Sequence, residues 1–238
     1  LVESDGNNEL IYVPLGVALL ITPWNFPLST VIRKMVPALV CGNSIVLKPS
    51  EFSSLTSIFL FELLDSISLP NGVVNLVLGE GNVVGPSLMD LSIIKIISFT
   101  GSTDTGELIQ KHLGSSDVRY QAEMGGSNAL VIWKDADIDN AVNAAITSGM
   151  ACAGQWCTGI SKLVVHGKIY NRAINSLTKA VKNITVGDGS IPSTDMGPLN
   201  NSQQLMKMKN YVERALKQGA EVITGGMAVS YTHLTLPT

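Results

Sequence analysis

The chain has 238 residues, long enough for one large domain or two smaller ones, each with its own core. Hydrophobic residues make up 45% and charged residues 15%, the balance of a compact globular protein and not of a disordered one. Net charge is −3 and the basic residues are scattered, without the basic stripe and interleaved aromatics that mark a nucleic-acid partner.

Apolar, β-branched runs of strand length cover residues 17–22, 44–47, 73–78 and 94–99. Between them, residues 28–40, 55–66 and 105–113 carry apolar side chains at helical spacing. This alternation predicts βαβ crossovers and a parallel sheet with helices on both faces. The near-continuous run Ile93-Ile94-Lys95-Ile96-Ile97 fits a strand buried on both sides. A second α/β unit begins after Gly125-Gly126, with a strand at 129–133 and helix-capping aspartates Asp135, Asp137 and Asp139. A helix at 139–150, a loop around Cys157, a strand at 162–166 and a helix at 170–182 follow. A last helix at 201–218 carries Lys207, Lys209, Arg214 and Lys217 on solvated positions.

Cys41, Cys152 and Cys157 form an odd set without framework spacing, which points to a reducing, cytoplasmic setting. No second Cys/His pair accompanies Cys152 and Cys157, so zinc is not expected and no metal ligands are assigned. The longest apolar stretch, residues 15–21, is far too short to span a bilayer, so no membrane partner is expected. The chain opens without an initiator Met or signal-peptide pattern and reads as the middle of a longer protein. Residues 229–238 resemble one translated frame of a transposon-type sequencing-library adapter, as in a metagenomic read that ran into its adapter.

Several segments carry chemistry. Cys157, in Ala153-Gly154-Gln155-Trp156-Cys157-Thr158, is a thiol that attacks carbonyls once deprotonated, although a Cys among small residues is more often a buried hydrophobe. Glu123, in Glu123-Met124-Gly125-Gly126, supplies a carboxylate base. Asn25, held between Pro23 and Pro27, could present its amide to an oxyanion or merely bond its own turn. Lys48 and Glu51 follow a strand, where they either bind a ligand at the sheet edge or form a solvated pair. The loop Gly101-Ser102-Thr103-Asp104-Thr105-Gly106 joins a strand to a helix and can aim N–H groups at a pyrophosphate. Residues 79–85 follow a strand as a dinucleotide loop should, but the last glycine falls one position too late for G-x-G-x-x-G.

Taken in order, Ile21-Thr22-Pro23-Trp24-Asn25-Phe26-Pro27, Lys48-Pro49-Ser50-Glu51, Phe99-Thr100-Gly101-Ser102-Thr103, Glu123-Met124-Gly125-Gly126 and Gly154-Gln155-Trp156-Cys157-Thr158 closely resemble the aldehyde dehydrogenase superfamily. The resemblance runs from about Glu9 to Gly226. It implies a variant Rossmann sheet and NAD(P)-dependent oxidation of a small-molecule aldehyde. Cys157 would form a thiohemiacetal and then a thioester, Asn25 and the Cys157 N–H would hold the oxyanion, and Glu123 would activate the hydrolytic water. Pro23, Trp24, Lys48, Glu51, Gly81, Gly101 and Ser102 match cofactor-binding positions. Glu51 favours NAD, with NADP accepted by relatives that carry the same motif.

By the same resemblance, residues 1–14 are the remnant of an oligomerisation hairpin and lead-in, 15–125 the cofactor domain lacking its first part, and 126–228 the start of the catalytic domain. Family members are about twice this length and form homodimers or homotetramers, so the chain reads as a fragment inactive alone. Trp156 is expected to shape the aldehyde pocket, and the stretch Glu123-Met124-Gly125-Gly126-Ser127-Asn128 is reminiscent of semialdehyde-oxidising branches. Two alternatives are a CoA-acylating semialdehyde dehydrogenase, against which Glu123 speaks, and a non-catalytic homologue. His112, His166 and His233 match no family role.

Overall fold

The computed structural model describes residues 2–227; the adapter-like segment 229–238 and His233 lie outside them. The chain divides into two compact units, Leu1–Gly125 and Gly126–Thr238. At the start of the first, β1 (Val2–Ser4) and β2 (Glu9–Ile11) pair as an antiparallel hairpin whose residues are all exposed.

The body of the first unit is a five-stranded sheet of β3 (Val17–Ile21), β4 (Ser44–Lys48), β5 (Val74–Leu76), β6 (Ile94–Gly101) and β7 (Arg119–Met124). Its spatial order is β5-β4-β3-β6-β7 and every neighbouring pair is parallel. The crossovers are α1 (Ser29–Val40), α2 (Ser54–Ser66), α3 (Gly81–Met89) and α4 (Thr103–Leu113). The α/β parallel-sheet expectation therefore holds.

Strand alternation sorts the core into two layers. Ala18, Leu20, Ile45 and Leu47 face one way and pack with Val31 and Met35 of α1 and Leu60, Phe61 and Leu64 of α2. Leu19, Ile97 and Phe99 face the other way, against Leu88 and Met89 of α3 and Ile109 of α4. Burial on both faces explains why these strands read as continuous apolar runs.

Two elements differ from the sequence reading. Residues 79–85 were expected as a loop, yet α3 starts at Gly81, because Leu88 and Met89 have a sheet face to cover. Gly79 makes the tight entry: it sits at φ 145°, and a Cβ there would lie 2.7 Å from Val84 Cγ1. Strand β7 gave no apolar run because its Arg119, Gln121 and Glu123 are exposed and only the alternate residues Tyr120 and Ala122 pack inward.

In the second unit, β8 (Asn128–Ile132) and β9 (Ile160–Val165) are parallel neighbours joined through α5 (Ile138–Gly149). Asp137 caps α5, its carboxylate accepting from the N–H groups of Asp139 and Asn140. Helix α6 (Tyr170–Lys182) packs on α5 through Ile138, Val142 and Ala173. Helix α7 (Ser202–Lys217) follows, capped by Asn201, with Lys207, Lys209, Arg214 and Lys217 exposed as expected. No helix among the described residues is long and apolar enough to cross a membrane.

Leu19 is wholly buried at the centre of the middle strand. Leu19→Ala is expected to lower the unfolding free energy by about 2–5 kcal/mol, and Val40→Ala, at a position 81% exposed, by no more than about 0.5 kcal/mol. Equilibrium urea unfolding of the two variants checks this; equal losses would contradict the core assignment.

Candidate functional site

The winding of the first sheet reverses once. From β3 the chain steps through α1 and α2 to β4 and β5; α3 then carries it back to β6 on the other side of β3, and α4 on to β7. The switch point thus lies between β3 and β6, where crossovers on opposite faces leave a crevice at the carboxyl ends of the strands. Ile21 is level with both Lys48 and Phe99, so the segments leaving β3, β4 and β6 emerge side by side. Pro23, Trp24 and Asn25 follow β3, Lys48 ends β4, Gly101 ends β6, and Glu123 on β7 is level with Thr100. Four of the five sequence motifs therefore share one sheet edge.

Lys48 is only 4% exposed. Its Nζ donates to Glu51 Oε2 at 3.2 Å, across a short 3-10 turn, Glu51–Ser53, that the Ser50 hydroxyl caps. Gly81 opens α3 beside this pair: a Cβ there would come within 3.5 Å of Lys48 Nζ. The next strand end is as close. A Cβ on Gly101 would lie 2.5 Å from Phe99 Cζ, and one on Gly106 would collide with Met124 Sδ, so α4 seats directly against β6 and β7. Ser102 caps α4, accepting from Thr105 N–H and donating to Thr105 Oγ1 at 2.9 Å. The eleven-residue helix directs its positive end toward the strand termini. Thr22 Oγ1, buried at this edge, has no hydrogen-bond partner among the described residues.

Three residues missed by sequence reading complete the Glu123 side. Lys34 of α1 is half-buried and its Nζ donates to Ser98 Oγ on β6 at 2.8 Å. Ser98 in turn donates to Gln121 Oε1 on β7 at 2.5 Å. Burial pushes the Lys34 ammonium down from 10.5 to about 8, the nearby Glu123 carboxylate working against that fall. No sequence motif marks these residues, and only the fold brings them together.

In the second unit, Cys157 is exposed, so the reading of a buried hydrophobe is set aside. Its loop leaves α5 through a short turn, Ala151–Gly154, in which Cys152, Ala153 and Gly154 all have positive φ. For Cys152 and Ala153 this left-handed backbone is a strain that neighbours must hold in place. Gln155 does so from both ends of its amide: Nε2 donates to Cys152 O at 2.9 Å and Oε1 accepts from Asn200 N–H at 2.9 Å. Asn128 Nδ2 donates to the carbonyls of Cys157 (2.8 Å) and Gly159 (3.1 Å). The nucleophile candidate is thereby fixed by its backbone while its side chain stays accessible.

His112 pairs with Asp90 at 2.8 Å, and His166 accepts from Lys168 N–H, both away from these motifs in sequence. Among the described residues no group of three His, Cys, Asp or Glu could hold a metal ion.

Residues 2–235 match the Aldehyde dehydrogenase family. The chain belongs to that family. It is 39% identical over 222 residues to betaine aldehyde dehydrogenase of Bacillus subtilis (strain 168), covering 93% of this chain and 45% of that protein. It is 41% identical over 228 residues to 2,5-dioxopentanoate dehydrogenase of Saccharolobus solfataricus, with 94% and 48% covered. Betaine aldehyde dehydrogenase of Staphylococcus aureus, solved in complex with NAD+, superimposes with a TM-score of 0.89 at 37% identity, over 91% of this chain and 43% of that one. The chain spans about half the length of these relatives.

The Lys34 environment has a measurable consequence. Because its folded pKa lies below the unfolded value, the unfolded chain binds the extra proton between about pH 8 and 10.5, and unfolding free energy rises with pH across that window. The destabilising contribution is full below pH 8 and fades toward 10.5. Wild type should therefore gain on Lys34→Met between these limits in denaturant unfolding. Parallel pH dependences would contradict the assignment.

Proposed function

We propose that the complete protein oxidises an aldehyde to a carboxylic acid with NAD as cofactor. The observation that carries this reading is the gathering of the motif segments after β3, β4, β6 and β7 at one switch-point edge. The residues there suit a dinucleotide. Lys48 and Glu51 offer a donor and an acceptor for ribose hydroxyls, with Gly81 lining the adenine side. Gly101 and Ser102 at the start of α4 would hold the pyrophosphate, the positive end of that helix adding to the attraction. Pro23 and Trp24 border the same stretch, and Thr22 Oγ1 offers a buried polar atom with no protein partner. Solved neighbours bound to NAD support this choice, although several relatives are named as NADP enzymes.

In this reading Cys157 attacks the aldehyde carbon as a thiolate, and the Asn25 amide and Cys157 N–H stabilise the oxyanion. NAD supplies the two-electron sink for oxidation to the thioester. Glu123 takes a proton from water, which hydrolyses the thioester and frees the Cys157 thiol. Trp156 borders the aldehyde. Residues 1–14, 15–125 and 126–228 belong to the oligomerisation, cofactor and catalytic parts of a parent that assembles as a dimer or tetramer. Semialdehydes are the substrate class, supported by relatives named α-ketoglutaric and succinate semialdehyde dehydrogenases.

In the complete enzyme, Cys157→Ser should reduce NAD-dependent turnover to background. Glu123→Gln should keep a first burst of NADH equal to the number of sites while steady turnover falls about 10²–10⁴-fold. Rapid-mixing absorbance at the NADH band reads both. Activity unchanged by Cys157→Ser would overturn the mechanism, and a preference for uncharged aldehydes in the same assay would overturn the substrate class.

A further inference from the structure

We propose that Ser98 and Gln121 form a hydrogen-bond clamp that holds Lys34 as an ammonium beside Glu123, making both of them positioning residues. The catalytic meaning of the clamp rests on the proposed role of Glu123; its existence does not.

Donors and acceptors set the sense of this network. An ammonium has three donors and no acceptor, so Ser98 Oγ, 2.8 Å from Lys34 Nζ, must accept there. The single hydroxyl proton of Ser98 is then left for Gln121, whose nearer amide atom must be the oxygen, as the 2.5 Å contact to Oε1 has it. The direction of the whole chain is thus set by the charge on Lys34. Neutral Lys34 would carry a lone pair, and the network would lose its single sense.

Burial makes the arrangement consequential. Ser98 is 7% exposed, and a buried hydroxyl left without partners is costly. Strand register supplies the alignment: Ser98 is level with Gln121, and Thr100 with Glu123, so Gln121 and Glu123 project on the same face of β7 two residues apart. That is the face on which α1 packs, which is why a helical lysine 64 residues from Ser98 reaches it. The charged groups near Lys34 are few. On α1 its neighbour Arg33 is exposed; β7 carries Arg119 and Glu123 on the same face; β3 and β4 present apolar residues there. Of these, Glu123 is the one whose charge acts on Lys34. A cation fixed at that place attracts the Glu123 carboxylate and so orients that side chain.

The test uses the full 238-residue chain labelled with ¹³C-lysine, following Lys34 Cε by NMR through a pH titration, with Lys34→Arg identifying the signal. Ser98→Ala removes the acceptor and should lower the Lys34 midpoint by about one pH unit. Gln121→Leu, at an exposed position that tolerates change, should lower it in the same direction by less. Ser98→Thr keeps the hydroxyl and should restore the wild-type curve. A Lys34 midpoint that is the same in wild type, Ser98→Ala and Gln121→Leu would overturn the clamp. The reading of Glu123 as base fails separately, through loss of the NADH burst pattern in Glu123→Gln.

Discussion

Right-handed crossovers allow a parallel sheet to grow in one direction only on each face, so a sheet with helices on both faces must reverse its winding somewhere. Here the reversal is made by α3, which carries the chain from β5 at one edge back to β6 beside the central strand. The consequences are local. The segments after β3 and β6 leave in opposite directions and open a crevice between them, and the residues of four sequence motifs stand around it. The position of Lys48, Gly101 and Asn25 at one edge follows from topology more than from any contact they make with each other.

The same alternation that builds two core layers divides the chemistry of that edge. Lys48, Gly101 and Met124 project with Leu19 and Phe99 toward α3 and α4, where close glycine approaches bring helix starts against the strand ends. Glu123 projects with Gln121 and Ser98 toward α1, where Lys34 waits. Lys48 and Gly101 thus sit on one side of the sheet rim and Glu123 on the other. In the second unit Gln155 ties the strained Cys152–Ala153 turn and Asn128 holds the Cys157 carbonyl, so the backbone is fixed while the thiol stays open.

Much of this was legible in the sequence. Strands β3, β4 and β6 announced themselves because burial on both faces demands unbroken apolar runs, and α1, α2 and α4 because one face of each must meet the sheet. Helix α3 was hidden by its glycines and Pro86, and β7 by its polar outer row. The motif residues could be named because each is a short local pattern. Lys34, Ser98 and Gln121 could not, since their network joins positions 64 and 23 residues apart and exists only once α1 lies across β6 and β7. Spacing alone also did not reveal that Ser102 caps α4.

The central claim is that the switch-point edge of the first unit binds a nicotinamide dinucleotide through this chain's own residues. Trp24 follows β3 at that edge, and replacing Trp133 and Trp156 by Phe leaves it as the only tryptophan. Titration with NAD should change Trp24 fluorescence saturably within the micromolar-to-millimolar range common for enzyme substrates, and Lys48→Met should shift the curve to about tenfold higher NAD. Emission that stays constant through millimolar NAD, or a curve that Lys48→Met leaves in place, would contradict the account.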